Sequence, residues 1–310
     1  MSLPETSVEC GTASVVAARQ LTRYYGRRLG VDAVDLDISE GEIFGFLGPN
    51  GSGKTTTIRL LLGFLRPTSG RASILGWDCW RQSAALKREV GYLPGDLRLY
   101  PWMTARGALR IAGAIRGIDL TAAGRDLSDR FELEMDLRVR TMSRGTRQKL
   151  GLVLAMAHKP RLLILDEPTN GLDPLMQDTL ATCLRELASA GHTILFSSHT
   201  LSEVELLCDR IAVVRSGRIV ANEPLETLRN RARRTVKLLF TNEHAAARTD
   251  VPHFLTRVSC AGRTWACELD GPSQPLVRWA AQQPLEDLEI GPPDLESLFR
   301  KFYRSPEGGA

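Results

Sequence analysis

The stretch IFGFLGPNGSGKTTTIRLLLGFL, residues 43–65, decides how this chain is read. An apolar run of strand length, Ile43–Leu47, breaks into a glycine-rich loop, GPNGSGKTT at Gly48–Thr56. Beyond it, Ile58, Leu61, Leu62 and Leu65 recur at helical spacing. Strand, glycine loop and helix form the setting in which G-x-x-x-x-G-K-[ST] holds phosphate, and Gly48, Gly53, Lys54 and Thr55 fill that pattern. The glycines let the backbone wrap so that N–H groups face phosphate oxygens, which makes Asn50, Gly51, Ser52 and Thr56 cradle candidates as well. Lys54 reaches the β- and γ-phosphates, and the Thr55 hydroxyl can ligate Mg²⁺. The helix start behind the loop adds roughly half a positive charge.

Working outward, RLLILDEP at 161–168 is a short, unbroken apolar run closed by two acids, which suits a parallel strand buried on both faces. Asp166 then stands at the C-terminal end of a strand, where open α/β sheets bind ligands. It is placed to hold Mg²⁺ through water. Glu167, one place further, is placed to polarise an attacking water, a general-base role worth roughly 10²–10⁴ in rate. HTILFSSH, residues 192–199, reads as another buried strand, closed by His199. MSRGTRQKL at 142–150 opens a further helix, with Ser143 as N-cap and Pro160 just past its end. A chain with one phosphate loop thus carries a second phosphate-facing helix start, remote from the first in sequence.

The rest of the pattern supplies a frame. From Ser14 to Phe46, β-like runs (SVVAA, VDLDIS, EIFGFLG) alternate with turns such as Glu40–Gly41, and Arg66–Gly70 reads as the stop of the helix after the loop. Between about Tyr100 and Leu137 strand-like runs give way to helical ones, a helical insertion. PLMQDTLATCLRELASAG reads as a helix ended by Gly191, and IAVVRSGRIVANEP as a hairpin turning at Ser216–Gly217. Past Pro224 a basic helix, LETLRNRARR, leads to strands TVKLLF, RTWACELD and LEDLEI, a helix PLVRWAAQQ, and a last helix capped by Asp294. The expected organisation is a flexible N-terminus over 1–13, an α/β domain over 14–225 with a helical subdomain at about 96–150, and a small α+β domain over 226–310.

Composition narrows the classes. With 310 residues, 43% hydrophobic and 25% charged, the chain reads as globular, large enough for one sizeable α/β domain and a small one. Lys+Arg 40 against Asp+Glu 36 leaves a net charge of only +4, which gives no general attraction to a polyanion, and no nucleic-acid partner is expected. Cys10, Cys79, Cys183, Cys208, Cys260 and Cys267 are scattered without metal-ligand spacing, the pattern of free thiols in a reducing compartment. MSLPETSVEC lacks the marks of a secretory signal, and no window approaches the roughly 18 apolar residues of a membrane span. Work at a membrane would therefore go through a partner.

GPNGSGKTT, MSRGT, LLILDEPTNGLD and SSH at Ser197–His199, in that order, resemble the ATP-binding cassette (ABC) ATPases of ABC transporters, over roughly Val15–Leu225. The resemblance implies a P-loop NTPase fold: a RecA-like core with an antiparallel β subdomain and a helical subdomain, here with the C-terminal α+β domain added. It implies ATP and Mg²⁺, with Thr55 and Asp166 at the metal. It also answers whose phosphate the second helix start holds. In this family two cassettes pair head to tail, and the signature stretch, usually LSGGQ, meets the ATP on the other subunit's phosphate loop. Ser143 and the Gly145 N–H would then contact the γ-phosphate bound by a partner's Lys54. His199 matches the switch histidine that orients the attacking water, and Asp173 in NGLD the loop that senses the opposite site. Tyr25 in RYYG matches the aromatic that stacks on adenine, with the adjacent Tyr24 as the alternative.

Two positions depart from the family pattern. Met142, Arg144 and Thr146 replace the usual Leu, Gly and Gln of the signature, while Ser143 and Gly145 are kept. Gly95, in GYLPGDLRLYP, stands where a Gln usually meets Mg²⁺, with Asp96 or a water as the substitute contact. MSRGTRQKL, YLPGDLRLYP and DLESLFRKFYR look like ATPase subunits of ABC-2 type exporters, which include drug and antibiotic efflux systems. The resemblance implies a separate transmembrane permease, a second cassette (a homodimer being the simplest form) and a peripheral place on the cytoplasmic face of the cell membrane. It gives the C-terminal domain an accessory or dimerisation role. The alternative is a soluble, non-transport ABC ATPase acting on nucleic acid or ribosomes.

Overall fold

The computed structural model describes residues 14–304. The expectation for residues 1–13 lies outside the described residues. Packing divides the chain into two compact units that meet in sequence at Asn222 and Glu223.

The first unit runs β1 (Ser14–Tyr25), β2 (Arg28–Ser39), β3 (Ile43–Leu47), α1 (Lys54–Leu61), β4 (Ser69–Ile74), β5 (Trp77–Asp78), α2 (Ser83–Glu89) and β6 (Val90–Leu93). It continues with α3 (Ala105–Arg116), α4 (Thr121–Arg130), α5 (Arg144–Met156), β7 (Leu162–Asp166), α6 (Pro174–Ser189), β8 (Thr193–Ser198), α7 (Leu201–Leu207), β9 (Arg210–Arg215) and β10 (Arg218–Pro224), whose last two residues fall past the division. An antiparallel sheet has the order β2-β1-β4-β5, and a six-stranded sheet the order β10-β9-β3-β8-β7-β6. In the larger sheet β9, β3, β8, β7 and β6 are parallel. Every residue of β3, β7 and β8 is buried, which is why their middles read as apolar runs, with buried Asp166, Ser197 and Ser198 at the ends of β7 and β8.

Register places the chemistry. Leu47 lies opposite Ser198 and Asp166 opposite Ser197, so β3, β8 and β7 end level with one another. The residues that leave those ends are Gly48, His199 and Glu167, and backbone bonds fix the exits: Gly48 N–H to Ser198 O and Glu167 N–H to Ser197 O, both 3.2 Å. Three motifs far apart in sequence thereby open on one edge, the ligand-binding edge of an open α/β sheet. Helix α5 lies across β6 at Gly91, where an added Cβ would sit 2.2 Å from Ala155 O.

The elements differ from the sequence reading in places. Helix α1 stops at Leu61, with Gly63 left-handed (φ +64°), and Ser69–Gly70 opens β4 instead of closing a helix. The helical insertion contains α3 and α4, the first ended by Gly117 at φ +70°. VGYL of β6 is too short to show a period, and its pairing with β7 makes it a strand.

The second unit contains α8 (Leu225–Arg231), β11 (Arg234–Phe240), α9 (Glu243–Arg248), β12 (Leu255–Ala261), β13 (Thr264–Leu269), α10 (Ser273–Ala280), β14 (Leu285–Pro293) and α11 (Leu295–Arg304). Its antiparallel sheet has the order β12-β13-β11-β14. Alternate residues Val236, Leu238, Phe240, Trp265, Cys267 and Leu269 point to one face and pack with Ala246 and Leu276 into a separate core. Asp294 caps α11, its Oδ1 accepting from Ser297 N–H at 2.9 Å. Cys79, Cys183, Cys208, Cys260 and Cys267 are free thiols, so no disulfide forms among the described residues.

Candidate functional site

An open cavity of about 690 Å³ lies over the phosphate loop. The loop that makes it needs glycine: Gly51 and Gly53 have φ +81° and +111°. A Cβ on Gly53 would also meet Gly30 O at 2.9 Å, and one on Gly48 would meet Val214 O at 2.4 Å. Gly53 begins α1 without any side-chain cap, and no acid occupies the first turn. The first N–H groups of the helix, unpaired by construction, are thus left for a ligand, and the helix dipole favours an anion there.

Lys54 is buried, and its ammonium bonds Gly48 O at 2.5 Å and Pro49 O at 3.3 Å and pairs with Glu167 Oε1 at 3.2 Å. Asp166, also buried, accepts from Thr55 Oγ1 at 2.9 Å on Oδ2 and from Ser197 Oγ at 2.6 Å on Oδ1. Glu167 takes φ +54°, a strained value for a non-glycine residue, and this turns its carboxylate back over the loop. There Oε2 meets His199 Nδ1 and accepts from Asn170 Nδ2 at 3.4 Å. Burial, with the Asp166 carboxylate nearby, pushes the Tyr92 phenol up to about 12, so it stays protonated in the adjoining cleft that it lines.

The structure brings together Tyr25, Asn50, Gly51, Ser52, Gly53, Lys54, Thr55, Thr56, Asp166, Glu167 and His199. Gly48 shapes the loop from behind without lining the cavity. Of the two tyrosines, Tyr25 lines the cavity and Tyr24 does not; the Tyr25 ring packs on Gly30, where a Cβ would come within 2.8 Å of it. Ser143, Gly145 and Asp173 do not line the cavity of their own chain. Ser143 caps α5 from an exposed position, accepting from Thr146 N–H at 3.0 Å and meeting Thr146 Oγ1 at 2.8 Å. Asp173 caps α6 by accepting from Met176 N–H at 3.0 Å.

A family profile described as ABC transporter matches residues 31–170. The bacitracin transport ATP-binding protein BcrA of Bacillus licheniformis is 35% identical over 245 residues, covering 78% of this chain and 80% of that protein. The chain belongs to the ABC transporter ATP-binding proteins. The Nod factor export ATP-binding protein I of Ralstonia nicotianae is 32% identical over 304 residues, 94% of each chain. A solved structure of the ATP-binding subunit of an ABC transporter superposes with TM-score 0.66 at 30% identity, covering 70% of this chain and 92% of that one. The fold is therefore the ABC cassette, and its enzymatic class is ATP hydrolysis. A non-transport role on nucleic acid or ribosomes is not favoured by these relatives.

In this ABC ATP-binding protein, sequence reasoning missed Arg28, Leu29, Gly30, Pro49, Arg144 and Asn170, all of which line the cavity. Pro49 and Arg144 lie inside the quoted motifs and Asn170 stands three residues after Glu167 in LLILDEPTNGLD, whereas Arg28, Leu29 and Gly30 carried no signal. Gly95 also lines it, its Cα facing Asp166 so that an added Cβ would rest 3.4 Å from the backbone oxygen and 3.5 Å from Oδ2. Asp96 turns to Arg98 at 2.9 Å in an exposed pair and lines an adjoining cleft instead.

Proposed function

We propose that this cassette is the ATP-hydrolysing subunit of an export complex, in which two cassettes close on ATP and drive efflux through a separate membrane permease. The observation that carries this reading is the division of phosphate-facing groups. Lys54, Thr55, Asp166, Glu167 and His199 converge on one cavity, while exposed Ser143 with Gly145 and Asp173 stands outside it on the same chain. Groups that stand outside their own chain's cavity fit a partner's nucleotide, so each ATP is held by two chains and joins them. Loss of the γ-phosphate removes the ligand both halves share, and the pair loosens.

Within that reading, Lys54 and the α1 N–H groups hold the β- and γ-phosphates, and Tyr25 stacks on the base. Glu167 takes the proton of the attacking water, and His199 orients that water and the γ-phosphate. The Thr55 hydroxyl and the Asp166 carboxylate, hydrogen-bonded at 2.9 Å, are hard oxygen donors of the kind Mg²⁺ takes while keeping several waters. When bound there, Mg²⁺ would neutralise charge on the β- and γ-oxygens. Among the described residues no helix is long and apolar enough to cross a membrane, which fits a cassette held at the cytoplasmic face by its permease. The permease contact belongs near Gly95–Met103, where Tyr100 and Trp102 stack at 5.6 Å with both rings mostly exposed.

Glu167→Gln tests the assignment. The variant is expected to bind ATP, to lose at least about a hundredfold in turnover, and to elute as a stable dimer in ATP. Wild-type turnover removes the base. A strictly monomeric protein in every nucleotide condition, alone and with its permease, removes the shared site.

A further inference from the structure

Gln148 lies on α5, one turn beyond Ser143, and is buried at 7% exposure. Its Nε2 donates to Pro168 O at 2.9 Å and Glu167 O at 3.3 Å. The peptide it grips is unusual. Glu167 at φ +54° keeps a conformation that non-glycine residues hold only where the surroundings over-determine it. On the other side the Glu167 N–H is fixed by Ser197 O and Ser197 Oγ, each at 3.2 Å. A second link runs in parallel: a Cβ on Gly145 would lie 2.5 Å from Gly171 O, so the first turn of α5 sits directly on the loop after Glu167. Asn170, the neighbour of Gly171, bonds the Glu167 carboxylate at 3.4 Å.

We infer that Gln148 is a positioning residue for the hydrolytic base. It ties α5, whose start carries Ser143, to the strained Glu167–Pro168 peptide and so sets the direction of the Glu167 carboxylate. Seating Ser143 on a partner's phosphate fixes α5, and through Gln148 fixes the base that serves the chain's own nucleotide. Each cassette then senses one ATP with the helix that aligns hydrolysis of the other. The inference rests on the roles proposed above for Glu167 and Ser143.

Gln148→Met keeps the volume of the side chain and removes the donor. Its kcat for ATP is expected to fall roughly tenfold to a hundredfold, the cost of a misplaced catalytic group, with KM changed by less than about threefold. In a Glu167→Gln background, Gln148→Met is expected to pair in ATP as Glu167→Gln alone does. Gln148→Glu, of similar size but presenting an acceptor to the two carbonyls, should lose kcat likewise, and it carries the test if thermal melts show the Met variant unfolded. A wild-type kcat in both variants overturns the inference. So does a loss of ATP-driven pairing that matches the loss of kcat, since that marks Gln148 as mere packing for α5. If Glu167→Gln itself turns over normally, the base assignment falls and this inference with it, a failure told apart because it appears without any change at Gln148.

Discussion

Lys54 shows how one side chain carries both binding and poise. Its ammonium is enclosed by two loop carbonyls and the Glu167 carboxylate, so phosphate enters by competing for a charge already aimed at it. Lys54→Ala is expected to weaken ATP binding by at least about tenfold, the scale of one or two charge-assisted hydrogen bonds, as read by titration with a fluorescent ATP analogue. His158, just past α5, carries a different consequence. Burial first, then the Arg116 charge, pushes its imidazole down to about 4; neither ring nitrogen makes a well-formed hydrogen bond, and a small opposing pull from the Val90 backbone does not offset burial. The unfolded chain takes up a proton near pH 6.5 and the folded one does not, so this stability is whole above pH 6.5 and drains as pH falls toward 4. Allowing for solvent screening at the partly exposed ring, it amounts to about 1–2 kcal/mol. His158→Leu should therefore gain that much relative to wild type between pH 7.5 and pH 5 in urea melts; a gap constant with pH would refute it. The catalytic side chains were legible because each sits in a motif with its own chemistry. Gln148 was not, since an amide that grips backbone oxygens some twenty residues away leaves no local pattern, whereas Asn170 bonds the carboxylate of Glu167 only three residues before it.

At the scale of elements, α5 is the hinge of the site's geometry. Its N-terminus is capped by Ser143, its middle holds the Glu167 peptide through Gln148, and its far end presses on β6 at Gly91. Because the atom facing Gly91 is the backbone oxygen of Ala155, no side-chain rotation can make room for a methyl group. Gly91→Ala is expected to lower stability by about 1–3 kcal/mol, seen as a reduced denaturant midpoint with an unchanged slope. Elements with strong periods or decisive ends were readable: β3, β7 and β8 as apolar runs, α5 and α6 by their caps and stops. Those that failed owe their state to partners. Ser69–Gly70 looks like a turn yet pairs with β1 as part of β4, and six of the seven residues of β12 are exposed, so no alternation marks it before β13 is in place.

Over the whole molecule, two cores of different kind follow from two kinds of strand. The first unit buries its parallel strands on both faces, whereas the second alternates, with Val236, Leu238 and Phe240 inward and Thr235 and Lys237 outward. An alternating sheet with its own helices closes its core without help from a neighbour. Fully buried Trp265 stands at the centre of that core, 4.8 Å from Phe240, with the Arg257 guanidinium over its ring at 5.0 Å. Residues 223–304 expressed alone should therefore fold. The expected result is blue-shifted tryptophan emission that moves to the red in one urea transition coincident with the loss of far-ultraviolet circular dichroism. Trp265→Phe keeps an aromatic ring in the core and leaves only the partly buried Trp279 to report, so it should keep the dichroism transition while losing most of the emission shift. Red emission at zero urea, or two transitions that do not coincide, would mean that the second unit depends on the first for its core.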